Sequence, residues 1–97
     1  MNPERQLSQE PWVVKVGAFL LGNVTEDDLM TAAASLDAAK DQGQHCEAWY
    51  YAGMKRLLAG DKKTAADDFN HSLATKQTRF TEYRLAEAEL KVLGLAN

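Results

Sequence analysis

The chain has 97 residues, 45% of them hydrophobic and 26% charged, and 14 acidic side chains against 11 basic ones leave a formal net charge of −3. A domain of this length buries roughly 60–65% of the surface its unfolded form exposes, so one modest core is the ceiling. Fifteen Ala, twelve Leu and no Ile tilt the composition towards helix formers and exclude a disordered or fibrous chain; the lack of basic excess argues against nucleic-acid binding, and a single Cys excludes an internal disulfide framework.

Residues 1–10 are polar and read as a flexible N-terminal segment. The opening MNPERQLSQEPW lacks the apolar run of a secretory signal, and no stretch approaches the roughly 20 apolar residues of a membrane span. A cytoplasmic location is expected for the chain as it stands, and a periplasmic or envelope location if an export leader has been removed from it. From Pro11 onwards apolar residues recur at helical spacing, with no alternating stretch of strand type, so the expected fold is all-α, with about five helices.

Pro11 suits a first helical position, and the first helix is expected to run to Leu21 and stop at Gly22-Asn23. Thr25 followed three residues later by Asp28 approximates a capping box, and Glu26, Asp27 and Asp28 place negative charge on the positive end of a second helix. Its stripe is Leu29, Ala32, Ala33, Leu36 and Ala39, ending before an Asp41-Gln42-Gly43 breaker. The third helix, Gln44 to Ala59, presents Ala48, Trp49, Ala52, Gly53 and Leu57, and Gly60 closes it. Asp61 caps a fourth helix with the stripe Ala65, Phe69, Ser72 and Leu73, fading at Thr75-Lys76-Gln77-Thr78. The fifth, Arg79 to Leu93, ends at Gly94. Connections this short force consecutive helices into antiparallel hairpins within one domain, residues 11–94.

A repeat runs through this order. Thirty-four residues carry Trp49 to Tyr83, Ala52 to Ala86 and Gly60 to Gly94, while thirty-eight separate Gly22 from Gly60. The stretch CEAWYYAGMKRLLAGDKKTAADDFNHSLATKQTR, residues 46–79, resembles one complete tetratricopeptide repeat: Trp49, the Ala52-Gly53 pair, the Gly60-Asp61 turn, then Ala65 and Phe69. It departs from the family pattern at Arg56, Ser72 and Gln77, where Tyr, Ala and Pro are usual. In physical terms Gly53 and Ala65 let two helix backbones approach, while Trp49 and Phe69 fill the space around that contact. With Tyr83 and Ala86 these form the repeat-packing set. Residues 11–40 read as a degenerate preceding repeat, and residues 80–94 as the first helix of a following one. The Leu-Gly-Asn-Val-Thr-Glu turn at residues 21–26, the Tyr-x-Gly of the third helix and Glu82-Tyr83-Arg84 are also similar to the C-terminal half of the NlpI family of bacterial lipoproteins.

Catalytic chemistry finds little to stand on. His45, Cys46 and Glu47 are consecutive and point about 100° apart on a helix, so they do not converge on a metal or substrate. Cys46 reads as a half-buried small residue. Asp67 and His71, four apart, read as a solvated pair, Gly53 and Gly60 do not make a phosphate loop, and Lys62-Lys63 beside Asp67-Asp68 reads as mixed wet surface. No enzyme, metal or cofactor is expected.

The tetratricopeptide resemblance implies a concave face built from each unit's first helix, gripping a peptide or a partner's helix. Its candidate residues are Tyr50, Tyr51, Met54 and Leu58, with Arg84 reaching in from the fifth helix; the alternative is that the aromatics pack within the protein. The family's carboxylate clamp needs Lys and Asn where Tyr50, Tyr51 and Met54 stand, so an apolar or helical partner fits better. The expected function is therefore a non-catalytic adaptor or scaffold, either cytosolic or in the envelope. A rival reading is a structural or assembly role. The fifth helix has no partner helix behind it, and its edge, Leu85, Val92, Leu93 and Leu95, would mediate homodimerisation or dock on further units of a larger repeat protein.

Overall fold

A computed structural model describes residues 11–94 as an all-α chain: α1 (Pro11–Leu20), α2 (Glu26–Ala33), α3 (Ala38–Leu58), α4 (Lys62–Ala74) and α5 (Thr81–Val92), with no strand among the described residues. The N-terminal segment 1–10 and Leu95 lie outside the described residues.

The helix ends follow local chemistry. At Thr25 the side chain accepts the Asp28 N–H while the Asp28 carboxylate accepts the Thr25 N–H, completing the capping box. Asp61 caps α4 by accepting the Thr64 N–H at 3.1 Å, and that bond holds its carboxyl below the usual range. Gly22 and Gly60 take the left-handed conformation, φ +83° and +86°, that lets the following N–H groups of Asn23 and Asp61 close back on Ala18 and Arg56. Lys76 after α4 also takes a left-handed conformation without being glycine, at φ 59°.

The join between α2 and α3 departs from the expected boundaries. α2 ends at Ala33, Leu36 lies fully exposed in the connection, and Ala39 belongs to the exposed first turn of α3. The supposed breaker Asp41-Gln42-Gly43 is continuous helix. Asp37 caps α3 by accepting the N–H groups of Ala39 and Lys40, Ser35 Oγ accepts the Asp37 N–H, and Asp41 reaches back to accept the Ser35 N–H at 2.9 Å. Gln44 donates its side-chain amide to the Ala33 carbonyl, satisfying an orphan acceptor at the end of α2. Gly43 serves packing rather than chain reversal: a Cβ there would lie 2.7 Å from the Phe80 ring.

Two apolar clusters share α3. Between α1, α2 and α3 lie Phe19, Leu29, Ala33, Ala48 and Ala52. Between α3, α4 and α5 lie Tyr50, Ala65, Ala66, Phe69, Ala86 and Leu90. Tyr51 packs against both. The α3–α4 hairpin closes where Gly53 lacks a side chain, since a Cβ there would meet the Phe69 ring at 2.6 Å. Phe69 thus fills the space at Gly53. Trp49 does not share that task, and its half-buried indole stacks on the His71 imidazole at 4.4 Å. Ser72, fully buried, donates to the Cys46 carbonyl at 2.8 Å and lies 3.4 Å from the Cys46 thiol. Cys46 is completely rather than half buried.

Asp68 corrects the mixed-surface reading. It is buried on α4 beside Ala65 and Phe69, and its Oδ2 has no hydrogen-bond partner. Desolvation, with the charge of Glu26 added, pushes its carboxyl up to about 6, against the smaller opposing effects of Arg56 and His71.

Candidate interaction groove

Helical periodicity places Glu47 and Tyr51 one turn apart on α3, and Trp12 and Val16 one turn apart on α1. The contact between α1 and α3 brings these pairs together. Trp12, Val13, Val16, Glu47 and Tyr51 enclose a notch of about 120 Å³. Trp12 donates its indole N–H to Glu47 Oε1 at 2.8 Å, which spans the two helices. From the other flank Tyr51 donates its hydroxyl to Glu82 Oε2 on α5 at 3.1 Å. Side chains from α1, α3 and α5 therefore meet around Tyr51.

The notch is electrostatically lopsided. Desolvation raises the Glu47 pKa, the Trp12 hydrogen bond lowers it, and the charge of Glu82 raises it again. Burial, the Glu82 charge and the hydrogen bond to Glu82 push Tyr51 up to about 12. Tyr50 is raised by burial and by the charges of Glu89 and Glu82. The ion pairs among the described residues are His45–Asp41 and Arg56–Glu26, so neither Glu47 nor Glu82 is matched by a cation.

The candidate groove residues separate on this geometry. Tyr51 lines the notch. Tyr50 is 9% exposed, packs edge-on to Tyr51 at 5.1 Å and against Phe69 at 6.0 Å, and belongs to the core cluster. Met54 is half-buried against the same cluster, Leu58 at the end of α3 is 82% exposed, and Arg84 is exposed on α5. On the α5 edge Leu85 and Val92 are exposed, whereas Leu93 packs on the α3–α4–α5 cluster. In the packing set Ala52, Ala65 and Ala86 are fully buried and Tyr83 is half-buried.

Trp12, Val13, Val16, Glu47 and Glu82 were not singled out as groove residues by sequence reasoning. The spacing of four between Glu47 and Tyr51 was the available signal. The adjacency of Glu47 to His45 and Cys46 in the chain hides that signal. Those two point elsewhere: His45 Nδ1 lies 2.8 Å from the Asp41 carbonyl, and Cys46 faces Ser72. His71 likewise bonds the Asp67 backbone carbonyl rather than its carboxylate. Among the described residues no group of three or more His, Cys, Asp or Glu is placed to hold a metal ion, and no helix is long and apolar enough to cross a membrane.

No protein-family model matches the chain, and no solved structure matches it.

Proposed function

We propose that the protein is a non-catalytic interaction module of tetratricopeptide type, which binds a peptide or partner helix along the face where α1, α3 and α5 meet. The observation that carries this reading is the Trp12–Tyr51 notch, a concavity lined by α1 and α3 whose Tyr51 is held from α5 by Glu82. The repeat reading draws support from equivalent environments thirty-four residues apart: Ala52 and Ala86 are both fully buried, and Gly60 and Gly94 both adopt positive φ. If the likeness to NlpI-type lipoproteins extends to role, the module is an adaptor of the bacterial envelope.

The test is selection of random helix-length peptides displayed on phage against the purified protein. Enrichment that Val13→Glu and Tyr51→Ala each abolish, with helicity by circular dichroism retained, is the expected result. Enrichment indifferent to both substitutions overturns the assignment of the face.

A second reading has its own observation. Val92 is 81% exposed and Leu85 is exposed on α5, the edge to which a further unit or a second copy would add. Self-association through this edge predicts a dimer in sedimentation that Val92→Glu converts to monomer. A monomeric parent protein removes this reading.

A further inference from the structure

Resting on the groove reading above, we propose that the Trp12–Tyr51 notch seats a cationic side chain, lysine or arginine, of the bound segment. At about 120 Å³ the notch has room for one extended side chain, roughly four water volumes at ~30 Å³ each. Its lining suits the aliphatic stem of such a residue, with Val13 and Val16 together with the aromatic Trp12 and Tyr51.

The carboxylates choose the head group. Glu47 lines the notch, and its bond from the Trp12 indole uses one oxygen and a neutral donor. Glu82, outside the lining, accepts from the Tyr51 hydroxyl, again a neutral donor. Two carboxylates near one apolar concavity, unmatched by any ion pair among the described residues, are costly to cover. A wholly apolar segment would remove water from Glu47 and return nothing for it. An acidic one would add repulsion. An ammonium or guanidinium group offsets the desolvation with a charge-assisted hydrogen bond. The raised Glu47 pKa is consistent with a carboxylate short of positive partners.

The experiment uses the peptides selected in the display test. The expected result is that Lys or Arg is enriched at one position between apolar residues. The leading peptide is then synthesised with that residue as Lys and as norleucine, which keeps the stem and deletes the charge. The parent protein should prefer the Lys peptide by about tenfold, the size of one charge-assisted contact. Glu47→Gln, which retains an acceptor for the Trp12 indole, should abolish that preference by weakening the Lys peptide while the norleucine peptide binds no more weakly, since the uncompensated desolvation of the carboxylate is removed; Glu82→Gln serves as the second variant if Glu47→Gln is unstable. Enriched peptides without a cation, or equal loss of both synthetic peptides in the variant, overturn the cation assignment and leave the groove standing. Failure to enrich any peptide overturns both.

Discussion

The two sides of α3 are held by different physics. Towards α4 the contact is close and apolar: a missing side chain at Gly53 admits the Phe69 ring, small alanines line the seam, and a buried Ser72 hydroxyl ties it to the Cys46 carbonyl. Towards α1 and α2, long polar side chains of α3 also reach out to neighbouring helices. Gln44 takes the Ala33 carbonyl at the end of α2, Glu47 takes the Trp12 indole, and Lys55 donates to the Phe19 carbonyl at 2.9 Å while lying 4.5 Å over the Phe19 ring. The tight side is built for stability. The tethered side leaves room between the helices, and the notch opens there.

The contrast is broken most severely on the tight side. Phe69→Ala is expected to cost about 3–5 kcal/mol, measured by urea unfolding, because the ring is fully buried and Gly53 offers nothing to collapse into the void. On the tethered side Lys55→Met keeps the aliphatic stem and deletes the bond to the Phe19 carbonyl, for an expected loss of about 1–2 kcal/mol. Equal losses from the two would erase the distinction.

Asp68 sharpens the comparison through pH. Its folded pKa lies above the usual value, so at pH 3 and below it is protonated in both states and costs nothing. As pH rises towards 6 the unfolded chain releases the proton first, and stability falls across that window. Asp68→Asn should therefore stabilise the protein by about 1–2 kcal/mol at pH 7 and leave it nearly unchanged at pH 3, as read from thermal midpoints at both pH values. A uniform gain at both would show that charge is not the cause. The smallest effect is expected at Lys76, whose positive φ glycine adopts without strain: Lys76→Gly should gain about 0.5–1 kcal/mol.

How much of this was legible in the sequence depended on whether the signal was local. The caps at Thr25 and Asp61 and the glycine stops at Gly22, Gly60 and Gly94 act within a few residues, and they stand where the sequence put them. Gly43 misled because its role is set by Phe80, thirty-seven positions away, and no local rule separates a glycine that ends a helix from one that admits a ring. Tyr50 and Tyr51 look alike in the chain. Their fates differ because a helix turns about 100° between them, enough to send one ring onto Phe69 and the other to the notch. Asp68 was read by its charge, whereas its position one residue before Phe69 on the packed side of α4 decided its burial.

The seam between α3 and α4 also carries its own clock. Cys46, the single sulfhydryl in the sequence, is wholly enclosed there, so a thiol-alkylating reagent gains access only when the hairpin parts. The labelling rate, followed by mass spectrometry against time, measures how often that pair of helices breathes, without any dye or engineered handle.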